Sequence, residues 1–153
     1  MAKFVYKMQN ILNVKYQLEN QAKIAFSNAN ARLREEEEKL YKLMARKEEY
    51  EEESRQLVCG GVIRILDIQN CRDSVSAMKS AIQVQANKVQ VAEKNVEQAR
   101  IKLNDVMVDR KTHEKLREKA FEDFKTELQE EENKTVDELV SYIYRDGGKN
   151  EKA

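Results

Sequence analysis

The residues able to do chemistry are few, and their spacing argues against each reaction they suggest. His113-Glu114 opens like the zinc-protease helix, where two histidines four residues apart hold the metal and the glutamate between them activates water. Here Arg117 stands where the second histidine is needed. Cys59 and Cys71 are twelve residues apart, and His113 lies far from both in sequence. A tetrahedral zinc site needs more ligands than that, so two small reduced thiols are the expectation. Gly60-Gly61 is not followed by the Lys-Ser or Lys-Thr of a phosphate loop. The run Glu35 to Glu38 looks like a metal cluster, but consecutive helical residues point in different directions, which makes it a solvated face. Asn133-Lys134-Thr135 is a glycosylation triplet without meaning in a cytoplasmic chain. Neither catalysis, nor a metal, nor a cofactor, nor a small-molecule substrate is expected.

The elements that would position any site are themselves unsuited to one. The chain has 153 residues, no Pro, no Trp and only four Gly, and 37% of it is charged. With the breakers missing and Glu, Lys, Arg, Ala and Leu abundant, long helices follow. Such helices expose most of their surface and leave little room for an enclosed pocket. Lys plus Arg equals Asp plus Glu at 28 each, so the basic surplus that nucleic acid demands is absent. Residues Met1 to Lys7 carry no apolar core of a secretory leader, and no stretch is apolar enough to span a bilayer. The expected location is the cytoplasm.

Apolar residues recur at spacings of three and four, the mark of a coiled-coil seam. In the first arm the seam reads Phe4, Met8, Ile11, Lys15, Leu18, Ala22, Ala25, Ala29. A second consecutive step of four, from Ala29 to Leu33, predicts a stutter. The seam resumes as Leu33, Glu36, Leu40, Leu43, Lys47, Tyr50, Ser54, Leu57. The second arm is cleaner: Val75, Met78, Ile82, Gln85, Val89, Ala92, Val96, Ala99, Leu103, Val106, Arg110, His113. Between the arms, Cys59-Gly60-Gly61 supplies the backbone freedom for a reversal. The predicted fold is all-α, a long two-helix antiparallel coiled-coil hairpin. It forms a single domain over residues 1–153, with arm 1 at about 2–58, a turn at about 59–61, arm 2 at about 62–144 and a disordered tail at 145–153.

A turn centred on the two glycines pairs residues whose numbers add to about 121. Seam then meets seam at Leu18 and Leu103, Ala22 and Ala99, Ala25 and Val96, Ala29 and Ala92, Leu43 and Met78, and Tyr50 and Cys71. Glu36 falls opposite Gln85, and such a polar layer weakens a coil while fixing its register. The second arm is the longer. In this register Met1 lies opposite Ala120, so everything from Phe121 to Tyr144 overhangs. That overhang carries Phe121, Phe124, Leu128, Val136, Leu139, Tyr142 and Ile143. An uncovered apolar stripe reads as a binding surface; the competing readings are a frayed end or a cap folded back on the N-terminus. The tip is also rich in apolar residues, at Val58, Val62, Ile63, Ile65, Leu66 and Ile68, which either meet a partner or close on one another.

Particular residues then add what periodicity does not carry. The opening Phe4-Val5-Tyr6-Lys7-Met8-Gln9-Asn10-Ile11-Leu12 with Lys15 resembles the start of the flagellar export protein FliJ family. Glu114-Lys115-Leu116-Arg117-Glu118-Lys119-Ala120-Phe121, late in the second arm, and the closing Glu132, Lys134 and Asp137-Glu138 resemble that family too. The resemblance extends to length and to the central turn. It implies a component of the bacterial flagellar type III export apparatus, acting in flagellum biogenesis and so in motility and chemotaxis. Family members are stalk-like coiled coils that join the hexameric export ATPase to the cytoplasmic domain of the membrane export gate and escort export chaperones. Carried onto this chain, the resemblance implies that Phe4, Met8, Phe121, Phe124, Asp137, Glu138 and Leu139 meet the ATPase ring. It implies that Leu43, Tyr50, Met78, Ala81 and Gln85 meet the gate, which would hold the protein peripherally at the cytoplasmic side of the membrane. Four of those five also serve the seam. The rival readings are a helical-hairpin holdase chaperone that binds clients with its tip, a structural coiled coil, and a virulence-type secretion counterpart.

Overall fold

The computed structural model describes residues 2–150. Two helices make up almost all of it, α1 (Gln9–Cys59) and α2 (Ile65–Asn150), which pack against each other as a helical hairpin. α1 stops where the chain reaches Gly60-Gly61. Gly61 takes a positive φ of 76°, the left-handed region that a side chain resists. The turn runs over residues 60–64, longer than the 59–61 expected. Val62, Ile63 and Arg64 stay outside both helices, and α2 starts at Ile65. Its first turn closes where Ile68 N–H donates to the Arg64 carbonyl at 3.2 Å.

Each helix departs from expectation at its distal end. Residues 2–8 are not helical; the chain enters α1 through Gln9 N–H donating to the Tyr6 carbonyl at 3.2 Å. α2 continues through Gly147-Gly148 to Asn150, past the stop expected at Tyr144 and into the tail expected to be disordered. A helical glycine costs about 1 kcal/mol relative to alanine but ends a helix only when it turns left-handed, and neither glycine does. The last part of that expected tail, 151–153, lies outside the described residues.

The chain divides into two compact units. One is Glu19–Val106, which contains the turn; the other is Met1–Leu18 with Met107–Ala153. In the first of these the protected seam of α2 is the one the periodicity predicts, from Val75 through Val106, with Val89 and Ala92 at 8% and 4% exposure. Along α1 the seam is different. Ala25 is exposed and Phe26 is half-buried in its place, while Glu19 is buried at 5%. In the other unit, Ile11 and Leu18 are exposed and Leu12 is the most protected hydrophobic residue at 2%. The protected positions therefore read Leu12, Lys15, Glu19, Ala22, Phe26, Ala29, Leu33, Glu36. Threes and fours alternate without interruption, and the expected stutter is absent. The phase is carried back from Leu57, Leu43 and Leu40, and a coil holds one phase unless an insertion breaks it. Burying Glu19 is made tolerable by Lys23, whose ammonium lies 3.3 Å from its carboxylate.

Candidate partner-binding surfaces

Within Glu19–Val106 the polar layer is present as predicted. Gln85, 6% exposed, donates through Nε2 to the carbonyl of Glu36 at 2.9 Å and to its side-chain carboxylate. Glu36 is 3% exposed, and Arg32 and Lys39 approach its other oxygen at 3.3 and 3.7 Å. The Gln85 hydrogen bond, with those cations and Lys88, holds the Glu36 carboxyl below its ordinary range against the opposing effect of burial. Residue numbers here add to 121, the register proposed from the turn. Keeping this layer while replacing Ala25 by Phe26 and Leu18 by Glu19 gives seam pairs that alternate between 121 and 122.

The unit formed by Met1–Leu18 and Met107–Ala153 carries a second polar cluster. Lys15 Nζ lies 2.6 Å from Asp109, and Arg110 Nη1 lies 2.8 Å from Glu114. The Tyr16 hydroxyl donates to the Glu114 carboxylate, which raises the phenol and lowers the acid. His113 lies on the seam, with Nε2 3.6 Å from Asp109 and Nδ1 buried with no hydrogen-bond partner among the described residues. No group of acidic, His or Cys side chains among the described residues could hold a metal.

Beyond this cluster the non-helical N-terminal segment lies across α2. The Phe4 ring packs edge-on against Phe121 with centroids 5.1 Å apart, and against Phe124 at 5.5 Å. A shallow cavity of about 540 Å3 separates residues 3–8 from Ala120, Asp123, Phe124 and Glu127. This corrects the overhang expected to start at Phe121. An extended residue advances about 3.3 Å and a helical one 1.5 Å, so a non-helical segment reaches further along its neighbour than a helical one. Phe4 therefore packs on the first two aromatics of the stripe, as a cap folded back would, leaving Phe124 half-buried and Phe121 still 39% exposed.

From Gln129 to Lys149 every residue of α2 is exposed. Val136, Leu139, Val140 and Ile143 follow the three-four spacing of one face at 55–67% exposure, and Tyr142 and Tyr144 stand at 68% and 85%. Asp137 and Glu138 are exposed beside Leu139. Of the residues assigned to the ATPase ring, then, Phe4, Phe121 and Phe124 touch one another, Met8 is half exposed, and the remaining three stand free of them. Those assigned to the gate are less accessible. Leu43, Tyr50, Met78 and Ala81 are half-buried and Gln85 is in the polar layer. The tip is open, with Val58, Val62, Ile63, Ile65 and Leu66 between 52% and 78% exposed, so those side chains do not close on one another.

No helix of the described residues is long and apolar enough to cross a membrane. The family model described as the flagellar FliJ protein matches residues 4–149. No curated protein and no solved structure matches the chain.

Proposed function

The chain belongs to the flagellar FliJ family, a family of coiled-coil proteins of flagellar protein export, and on that premise we propose that it links the export ATPase ring to the export gate at the cytoplasmic side of the membrane and escorts export chaperones. It does so by binding alone. The observation that carries the reading is the uncovered end of α2, where Val136, Leu139, Val140 and Ile143 form an apolar face with nothing packed on it among the described residues. Asp137, Glu138 and Leu139 are its ring contacts, and the clasp of Phe4, Phe121 and Phe124 stiffens its base. A single helix that touches ring subunits unequally biases their conformations by as much as its contact free energies differ between states. The flank around Ala81 takes the gate contact, since the other residues of that group are occupied in the seam.

The test is truncation after Gln129, which keeps the aromatic clasp. The shortened chain should melt as the full chain does and lose stimulation of the ATPase. Full stimulation by the truncated chain would remove the overhang from the mechanism.

The open tip favours a second reading, that of a holdase. Replacing Val62, Ile63 and Leu66 by Ser should then abolish suppression of client aggregation and leave ATPase stimulation intact.

A further inference from the structure

One groove is not explained by either end of the molecule. It runs along the flank within Glu19–Val106, has a volume of about 530 Å3, and is floored by Ala92 and by the covered Glu36. Val84 and Val91 line it, one heptad apart on α2, and are 56% and 57% exposed. A coil of two helices gains nothing from aliphatic side chains there. Seven-residue spacing is what a third helix reads when it lies along such a pair. The charge on the rim is one-sided. Arg32, Lys39 and Lys88 surround the groove, and the single carboxylate among them is Glu36. Glu36 sits at 3% exposure and already holds Arg32 and Lys39 by ion pairs. A surplus of two positive charges therefore faces outward beside an apolar strip.

We propose that this groove docks an amphipathic helix of a partner protein, carrying aliphatic residues at heptad spacing and acidic residues on their flanks. The aliphatic residues pack on Val84 and Val91, and the partner's carboxylates meet Lys88, Arg32 and Lys39. The seam residues below are left undisturbed, so docking requires no unzipping of the hairpin. The assignment rests on the groove alone, and a failure of ATPase stimulation would leave it standing.

The probe is a labelled synthetic peptide of about four heptads with Leu at the seam positions and Glu at the flanking ones, where like charges oppose its self-association. Its binding to the full chain is read by fluorescence anisotropy, beside a peptide with Lys at the same flanks. The acidic peptide should bind at least tenfold more tightly, and rising salt should weaken it. Val84→Ser with Val91→Ser should cost at least tenfold in Kd without moving the melting temperature, because both side chains are mostly exposed. Lys88→Glu should narrow or reverse the preference for the acidic peptide. Equal binding of the two peptides, or undiminished binding by the double Ser variant, overturns the proposal. So does a concentration-dependent dimer in light scattering that the double Ser variant abolishes, since a second copy would then be the occupant.

Discussion

Replacing Phe4 by Ala should release the N-terminal segment from α2 without unfolding the hairpin. Phe4 is half-buried and makes two ring contacts, at 5.1 Å with Phe121 and 5.5 Å with Phe124. An aromatic pair contributes about 0.5–1.5 kcal/mol beyond burial, so the two together hold the segment by about 1–3 kcal/mol. At the midpoint of about 2 kcal/mol the open population rises roughly thirtyfold, since about 1.4 kcal/mol is a factor of ten. Little else ties residues 2–8 down: besides the helices' own ladders, their backbone contributes the Tyr6 carbonyl to Gln9 and the Met8 carbonyl to Leu12. The assay is thiol labelling at Ala120→Cys, a half-buried position beneath the segment, resolved by peptide mass from Cys59 and Cys71. In the Phe4→Ala background the labelling rate should rise by about that factor while the melting temperature moves little. A rate changed less than twofold refutes the clasp. A large loss of melting temperature refutes its being local.

Three further outcomes follow from the seam. Cysteines at 29 and 92 should form a disulfide under mild oxidation in a background lacking Cys59 and Cys71, whereas cysteines at 29 and 99 should not. Efficient bonding of the second pair would mean a one-heptad slip. Leu12→Ala should lower stability by about 2–5 kcal/mol in urea denaturation, because Leu12 is 2% exposed. The same change at Ile11, 45% exposed, should cost far less, and the reverse order would restore the phase read from apolar residues alone. Acid should destabilise the hairpin. The carboxyls of Glu36, Asp109, Glu97 and Glu114 are all held below their ordinary values in the folded chain by their hydrogen bonds to Gln85, Lys15, Arg100 and Tyr16 respectively. Their contribution is complete above the ordinary carboxyl range and is lost as pH falls through the lowered folded values, so melting temperature should drop across that window. Gln85→Leu should flatten the part of this drop that belongs to Glu36.

The reversal was legible from Gly60-Gly61, though not its full length, and the α2 seam and the layer of Glu36 and Gln85 were legible because α2 carries an almost uninterrupted heptad of apolar residues. α1 was not, and the reason is specific. Ile11, Leu18 and Ala25 form their own heptad one residue before Leu12, Glu19 and Phe26, so apolarity alone prefers the wrong line. The signal that separates them is phase. Counting back from Leu57 in alternating threes and fours reaches Glu19 rather than Leu18 and makes the stutter unnecessary. The clasp was illegible for another reason. Periodicity places Phe4 as though it were helical, and only an extended segment lets it reach Phe121 and Phe124.

The misleading line on α1 is itself informative. Ile11, Val14 and Leu18 stand at 45%, 50% and 40% exposure with three-four spacing, as a seam would have, beside the seam the hairpin uses. The used seam, meanwhile, accepts Lys15, Glu19, Glu36, Lys47 and Gln85, and the buried hydrophobic residues include two alanines, Ala22 and Ala92, which contribute little apolar area. A chain optimised only to close on itself would exchange these two sets, burying isoleucine and leucine and exposing glutamate. Keeping the larger aliphatics outside leaves hairpin stability on the table and leaves apolar rows free for other helices, at Ile11 to Leu18, at Val84 and Val91, and at Val136 to Ile143. Exposed aliphatic residues at helical spacing are what a protein that binds other helices laterally requires. Moving the leucine inward, by Leu18→Gln with Glu19→Leu, should therefore raise the melting temperature. If partner binding survives that exchange undiminished, the outer row on α1 is not a contact surface.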